Sequence, residues 1–340
     1  MTNNLSINIG EKYIRVVDVS DNGKEIEINS LGEVEANPHY YTADTEKNIE
    51  VQAEIINKLL TTSKIKNKRA QVVIPDLYSF SQLLVLPKLN EKELQSAIRY
   101  QADQFIPLPI DEVSLDIEVL RENPKTKELT VFIVACPFTI VKQIEKTIEL
   151  SGLQPEGLEN EFSSVRRFIL NRGKVFFPNK SSFILVNFGF FNSSIYLIDT
   201  QNFILLNRSV KIGLELLLKD IKVNLNIDDK KAYEILQTVG FEKNGSVDAG
   251  IYIAPIVKEL ADEVSHFLIV AKEQYNLNVD QVYIFNLDNM VMSIDKAIQN
   301  GISIPVSPFP IATLVKQNQT VGSLGPVLSG FFGAITGALS

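Results

Sequence analysis

The hydrophobic and polar positions of residues 79–120 predict one helix between two strands. The first strand is a short apolar run over 83–86. A helix is predicted next because Asn90 is a good N-cap and Glu93, three residues later, completes a capping box. Its apolar face repeats at helical spacing in Leu94, Ala97, Ile98, Gln101 and Phe105. Two prolines then end the helix, and a second strand follows over 113–120.

Similar patterns extend along the chain, and its second half opens as its first half does. Further strands are predicted at 7–9, 14–19, 26–31, 70–75, 128–136, 183–187, 194–198, 203–210, 282–286 and 302–306. Further helices are predicted at 46–63, 138–151, 214–225, 228–239, 253–275 and 290–299, and a short strand followed by a helix at 153–171. A loop is expected at 244–246, and a boundary between the two halves at 171–181.

Composition and charge exclude several classes of protein. At 340 residues the chain exceeds what one hydrophobic core usually serves, so two or more folding units are expected. The net charge of −8 argues against a nucleic-acid surface, which needs clustered lysine and arginine. The single cysteine, Cys136, lies in a strand-like run and fits a buried apolar side chain better than a nucleophile.

The remaining composition predicts a cytoplasmic protein without metal ligands or catalytic residues. The two histidines, His39 and His266, have no spacing typical of a metal pair or a catalytic triad. No signal peptide and no run of about 18 apolar residues is visible. Glu159 and Glu161 invite a catalytic interpretation, but solvated or capping carboxylates are the simpler expectation.

The sequence of one stretch is more specific than an ordinary amphipathic helix packed on a sheet requires. Residues 71–120, and above all VVIPDLYSFSQLLVLPKLNEKELQSAIRYQADQFIPLPIDEV at 72–113, resemble the PilM family of type IV pilus machines. The resemblance implies an α/β, actin-like (ribonuclease H-like) bilobed ATPase fold with an FtsA-type α+β insertion subdomain. The repeated opening of the two halves is what the duplicated lobes of that fold would produce.

The resemblance also implies four structural units. The first lobe is expected at 1–75 with 152–180 and a C-terminal helix at 324–340, the insertion at 76–151, the second lobe at 181–213 and 278–323, and its helical subdomain at 214–277. The C-terminal stretch is apolar, glycine-rich and uncharged. It lacks the basic face of an amphipathic membrane anchor, so we expect it to dock on the first lobe.

The same resemblance locates a nucleotide site, at which this chain departs from the family. The residues implied to border ATP and Mg²⁺ are Asn8, Gly10, Lys12, Asn187, Gly189 and Gly213. Both asparagines replace the family's aspartates, and an amide cannot neutralise a metal ion as a carboxylate does. Glu11 stands at a small hydroxyl position and Arg15 at a lysine position, while Leu214, Asn286 and Leu287 occupy glycine positions where a ligand needs close approach. We therefore expect ATP and Mg²⁺ to bind weakly or not at all, and a pseudo-ATPase rather than an enzyme.

The partner implied by the resemblance is the cytoplasmic N-terminal peptide of a PilN-like inner-membrane protein. In PilM proteins the insertion and the first lobe form the groove for it, and peptides dock there through apolar pockets and main-chain hydrogen bonds. The residues that we expect to contact the peptide are Tyr100, Gln101, Gln104, Phe105, Ile106 and Pro107. Assembly ATPases, the platform protein and further copies of the chain are additional candidate partners, whereas nucleic acid and direct membrane insertion are not expected.

The functional expectation is an actin-like scaffold of a type IV pilus, secretion or competence machine. It would be cytoplasmic and recruited to the inner face of the membrane through partners. Two alternatives stay open at this point: an ATP-binding switch or slow ATPase of the same fold, and an FtsA-like cell-division protein.

Overall fold

The computed structural model describes residues 2–23, 25–176, 181–242 and 248–339. The strands are β1 (Thr2–Ile9), β2 (Tyr13–Asp21), β3 (Ile26–Glu35), β4 (Arg69–Ile74), β5 (Phe80–Pro87), β6 (Val113–Asn123), β7 (Glu128–Pro137), β8 (Gln154–Asn160), β9 (Ser182–Phe188), β10 (Ser193–Ile198), β11 (Ile204–Val210), β12 (Val279–Asn286) and β13 (Val306–Pro308). The helices are α1 (Glu46–Thr62), α2 (Glu91–Phe105), α3 (Phe138–Leu150), α4 (Glu161–Phe176), α5 (Leu214–Leu225), α6 (Asp229–Thr238), α7 (Gly250–Tyr275), α8 (Ile294–Gln299), α9 (Gln319–Leu324) and α10 (Phe332–Gly337). The predicted loop at 244–246 and residues 177–180 of the predicted boundary lie outside the described residues.

Two five-stranded sheets have the same topology. The first sheet has the order β3-β2-β1-β4-β8 and the second the order β11-β10-β9-β12-β13. In each sheet the first three strands in sequence are antiparallel, and the fourth and fifth continue parallel to the first. The duplication that the sequence predicted is therefore confirmed at the level of strand order and direction.

The segment inserted between β4 and β8 forms a third sheet, with the order β5-β7-β6. Helix α2 covers one face of it and starts with the predicted capping box: Glu93 N donates to Asn90 Oδ1 and Asn90 N donates to Glu93 Oε2, both at 3.1 Å. Val131 and Ile133 of β7 pack in the core with Ile98 of α2. Because side chains alternate along a strand, the intervening Phe132 belongs to the opposite face.

The two lobes share one hydrophobic core, built around α4 and the C-terminal segment. Phe162 and Phe168 of α4 pack in it with Phe332 and Ile335 of α10. Strands of both sheets contribute to the same core. Each fully buried phenylalanine stabilises this joint by roughly 1.5 to 3 kcal/mol. The apolar C-terminal segment is thus packed inside the protein, against β1, β2, β4 and α4.

Two predicted elements near the C-terminus differ from the structure. The predicted helix at 290–299 is divided into a 3-10 turn (Asp288–Met290) and α8, because Ser293 adopts a left-handed conformation with φ of 60°. The predicted strand at 302–306 is shifted to β13, since Pro305 has no N–H to donate to a ladder. No helix in the described ranges combines the length and the apolarity needed to cross a membrane.

Candidate functional site

Matching turns follow the first strand of each lobe and face the cleft between them. Gly10 N donates to Tyr13 O and Gly189 N donates to Asn192 O, each at 3.0 Å. A Cβ atom on Gly10 would lie 2.7 Å from Tyr13 O, and one on Gly189 2.6 Å from Asn192 O. Such a contact is too close for any side chain, which explains glycine at both positions.

Asn8 of β1 and Asn187 of β9 meet at one carboxyl group. Asn8 Nδ2 donates to Glu161 Oε1 at 3.2 Å, and Asn187 Nδ2 donates to Glu161 Oε2 at 2.7 Å. All three side chains are buried. The two asparagines therefore do what aspartates could not: they hold a glutamate between the lobes by donating to it.

Glu161 is the centre of a buried acidic cluster, whereas the sequence suggested a solvated or capping carboxylate. Burial raises its pKa to about 8, and the nearby Asp76 and Glu11 add to the shift. Burial likewise raises the pKa of Glu11 to about 7 and that of Asp76 above its usual range. Asp76 accepts hydrogen bonds from Tyr196 Oη at 2.6 Å and from Phe162 N at 2.8 Å. Glu11 Oε1 is buried without a partner among the described residues.

Arg15 extends this network to the far side of the cleft. Its Nε donates to Glu33 Oε2 at 2.6 Å, and its Nη1 donates to Asn286 Oδ1 at 2.7 Å. Asn286 Nδ2 in turn donates to Asn187 Oδ1 at 2.9 Å. Asn286 has a φ of 85°, a conformation that glycine adopts freely and asparagine tolerates. Asn286 thus adopts a backbone conformation that favours glycine and adds an amide that links the lobes.

Gly213 lies at the N-terminus of α5, whose first amides are already used. Leu214 N donates to Gly189 O at 3.0 Å and Glu215 N donates to Phe190 O at 2.9 Å. An anion at a helix N-terminus needs such amides free. The turn between β9 and β10 therefore uses the amides that a phosphate would need.

Lys12, the sixth residue predicted to border the nucleotide, takes no part in the network around Glu161. Its Nζ is 3.2 Å from Glu35 Oε1 and 5.1 Å from the ring centroid of Tyr233 on α6. These side chains border an open cavity of about 670 Å³ between the first lobe and α6. Lys12 is the one residue of the six that borders this cavity.

The side chains and amides expected to border ATP and Mg²⁺ bind one another in the cleft. The two positions that would hold the metal carry amides that donate to Glu161. The amides that would bind phosphate are paired internally, and Arg15 is engaged by Glu33 and Asn286. Within the described part of the chain, no three His, Cys, Asp or Glu side chains are placed to hold a metal ion.

The C-terminal segment packs directly beneath the network. A Cβ atom on Gly333 would lie 2.9 Å from Asn8 Nδ2, and one on Gly330 2.8 Å from Arg15 Nη2. Ser329 Oγ donates to the buried Asp288 Oδ1 at 2.5 Å, and burial raises the pKa of Asp288 to about 7. The glycines in this segment allow its backbone to touch the polar side chains of the cleft.

A second candidate site is a groove of about 610 Å³ between the insertion and the first lobe. It is lined by Ile74, Ser79, Ser114, Asp116, Glu118, Phe132, Val134, Cys136, Val141, Glu145, Leu158, Glu159, Asn160, Ser163, Arg166, Arg167, Leu170 and Asn171. Arg166 of α4 pairs with Glu118 of β6 and lies 5.0 Å from the ring centroid of Phe132. Arg167 Nη2 donates to Glu159 Oε1 at 2.8 Å.

None of the six residues predicted to bind the peptide lines this groove. They belong to α2 and its exit, on the opposite face of the insertion sheet. Tyr100 is 67% exposed, Gln104 and Pro107 are also exposed, and Gln101 is half-buried. Ile106 is buried in the insertion core, and Phe105 borders a smaller cavity of about 320 Å³ next to Asp76 and Tyr196. Their contact with a partner remains a prediction.

Sequence reasoning missed Asp76, Tyr196 and Arg166 as site residues. Asp76 carried a usable signal, because it follows the carboxyl end of a parallel strand, where such sheets usually place ligands. Arg15, which the sequence analysis did name, is a charged residue between the buried Ile14 and Val16 of β2. Arg166 and Tyr196 depend on long-range packing and carried no local signal.

Comparisons with known proteins agree with this architecture. The family described as type IV pilus assembly protein PilM matches residues 6–321. The PilM-PilN type IV pilus biogenesis complex has a TM-score of 0.81 at 18% identity, covering 100% of this chain and 99% of that chain. The ethanolamine utilization protein EutJ of Carboxydothermus hydrogenoformans has a TM-score of 0.57 at 11% identity, with 100% and 90% covered. Component A of the (R)-2-hydroxyglutaryl-CoA dehydratase of Acidaminococcus fermentans has a TM-score of 0.50 at 11% identity, with 100% and 97% covered. The fold is the bilobed actin-like fold that the sequence predicted.

Proposed function

Because the chain belongs to the PilM family of type IV pilus assembly proteins, we propose that it is a scaffold that binds the cytoplasmic N-terminal tail of a PilN-like protein. The observation that carries this proposal is the groove of about 610 Å³ between the insertion and the first lobe. A likeness to the PilM-PilN complex over the whole chain supports it. Binding the tail of an inner-membrane protein would recruit the scaffold to the membrane without a spanning helix of its own.

The groove offers both kinds of contact that an extended peptide needs. Phe132, Val134 and Cys136 of β7 provide an apolar floor, and β6, at the edge of its sheet, lines one side. An edge strand has main-chain groups free to pair with an added strand. Four carboxylates and two arginines line the walls, and Arg166 and Arg167 are already paired with Glu118 and Glu159. This balance favours a tail that is apolar with a neutral to basic flank.

We further propose that the scaffold works without hydrolysing ATP. The amide donors at residues 8 and 187, the internally bonded N-terminus of α5 and the engaged guanidinium of Arg15 support this proposal. The protein would thus position partners of the pilus machine rather than drive them. Assembly ATPases, the platform protein and further copies of this chain are candidate partners of the resulting complex.

The peptide site can be tested by calorimetric titration with the cytoplasmic N-terminal peptide of the PilN-like protein from the same organism. Ser114→Tyr places a large side chain at an exposed position of β6 inside the groove, where strand propensity tolerates tyrosine. We expect it to weaken binding by about tenfold or more, since it removes volume that the peptide would fill. The matched variant Tyr100→Ala, on the opposite face of the insertion, should bind like the wild type.

The reverse result would place the peptide on α2: weak binding by Tyr100→Ala and normal binding by Ser114→Tyr. Absence of binding by the wild-type protein would contradict the proposed function itself.

A further inference from the structure

The side chain of Arg15 lies between parts of the protein that a hinge motion would separate. Arg15 is 6% exposed and belongs to β2 of the first lobe. Its guanidinium contacts Glu33 of the same lobe and Asn286 at the end of β12 in the second lobe. The C-terminal segment closes the remaining side through Gly330 and through Phe331, whose ring centroid is 6.0 Å from Arg15 Cζ.

The hydrogen bonds from this arginine run in one continuous chain across the cleft. They link Glu33, Arg15, Asn286, Asn187, Glu161 and Asn8, and each amide in the chain donates through Nδ2, while those of Asn286 and Asn187 also accept through Oδ1. The chain starts in the first lobe, passes through two strands of the second lobe and returns to the first lobe through α4. Each of its five hydrogen bonds joins two side chains of this protein, so these bonds form without any added ligand.

These hydrogen bonds are directional, whereas the contacts in the rest of the lobe interface are not. The shared core around α4 and α10 is apolar, and apolar contacts hold surfaces together without fixing an angle between them. The partly buried ion pair of Arg15 with Glu33, on the neighbouring strand of the same lobe, contributes little net stability, but it fixes the guanidinium that reaches Asn286. Asn286 has a φ of 85°, which glycine would adopt at lower cost. The advantage of asparagine over glycine at this position is therefore its side-chain amide.

We propose that Arg15 and Asn286 form a clamp that holds the two lobes closed, taking the place that a nucleotide has in closing a cleft of this kind. The clamp makes the closed form the resting state of this protein. It does not depend on the peptide groove, which lies on another side of the first lobe, so it can fail while the proposed scaffold function stands.

Hydrogen exchange of the full-length protein, followed by mass spectrometry, tests the clamp. Asn286→Gly keeps the backbone conformation and removes only the amide, and Arg15→Met keeps the length of the side chain and removes the guanidinium. Each variant removes one partner of the hydrogen bond between the Arg15 guanidinium and Asn286. We therefore expect hydrogen exchange at the cleft turns, residues 10–13 and 189–192, to become roughly ten- to hundredfold faster. Arg69→Met, which removes an ion pair to Glu156 inside the first lobe, is the control and should leave those turns unchanged.

The proposal predicts faster exchange confined to the cleft in Asn286→Gly, even if Arg15→Met folds poorly. Unchanged exchange at the cleft turns in Asn286→Gly would overturn it. A uniform increase across both lobes would do the same, because that pattern indicates loss of general stability. Protection of the same turns in the wild-type protein by Mg-ATP would also overturn it, since nucleotide would then be needed for closure.

Discussion

The substitution Asn187→Asp should create a destabilisation that grows at alkaline pH. In the native protein Asn187 Nδ2 donates to Glu161 Oε2 at 2.7 Å. Two carboxylates at that separation repel by roughly 6 kcal/mol at an effective dielectric constant of about 20. This exceeds the free energy needed to protonate one of them at neutral pH, so the pair should keep one proton well above pH 8.

The size of the effect follows from the proton that the native state retains. Wild-type Glu161 has a pKa raised to about 8 and loses its proton near that pH. In the variant the shared proton stays in the folded protein but not in the unfolded chain, so the variant loses about 1.4 kcal/mol of stability relative to wild type per pH unit above about pH 8. By about pH 10 the difference should reach roughly 4 kcal/mol, whereas near pH 6 it should be about 1 kcal/mol.

Urea denaturation of both proteins at several pH values between about 6 and 10 measures this difference as the free energy of unfolding. Asn300→Asp, at an exposed position after α8, is the matched control and should show no such pH dependence. A difference between Asn187→Asp and wild type that stays constant with pH would refute the reasoning. It would mean that Glu161 does not share a buried site with residue 187.

Three further predictions concern the same region. The free energy of unfolding of the wild-type protein should fall as pH rises from about 4.5 to about 8, because a carboxyl whose folded pKa is raised, as for Glu161 to about 8, stabilises the fold only while it is protonated; a flat profile over this range would contradict the buried cluster. Gly333→Ala should cost roughly 1 to 3 kcal/mol by overpacking against the cleft, while Gly322→Ala, with open space at its Cβ position, should be neutral or stabilising; equal thermal midpoints would argue against the close contact. Tyr196→Phe should cost about 1 to 3 kcal/mol because it removes the hydroxyl that donates to Oδ2 of the buried Asp76, and an unaltered urea midpoint would argue against that hydrogen bond.

The sequence predicted those structural elements that are determined by residues close together in the chain. The start of α2 is one case, because Asn90 and Glu93 form their capping box within four residues of chain. The matching turns at Gly10 and Gly189 are another, since a close main-chain contact requires glycine whatever surrounds it. The boundaries of the four structural units remain a prediction.

The chemistry of the cleft could be predicted only in part, because it depends on residues distant in sequence. Glu161 looked like a solvated residue at a helix start, yet Asn8 and Asn187, 153 and 26 positions away, bury and bind it. The asparagines were correctly singled out, but only as residues that fail to bind a metal. Their positive role, as donors to a carboxyl group, required the three-dimensional arrangement.

The same limit applies to the peptide groove. The resemblance suggested a groove between the insertion and the first lobe, and residues on α2 were chosen because they combine apolar and polar side chains. The alternation of β7 places α2 on one face of the sheet and the groove of about 610 Å³ on the other. Which face of a sheet meets a neighbouring lobe is set by tertiary packing, and no local pattern in this stretch reveals it.

The most direct test of the central claim is a calorimetric titration of the wild-type protein with the PilN-like N-terminal peptide, in EDTA and again with saturating Mg-ATP. The account predicts saturable binding with the same affinity in both conditions, because the lobes are already closed by their own side chains. Binding that occurs only with Mg-ATP would contradict it and indicate a nucleotide-operated switch.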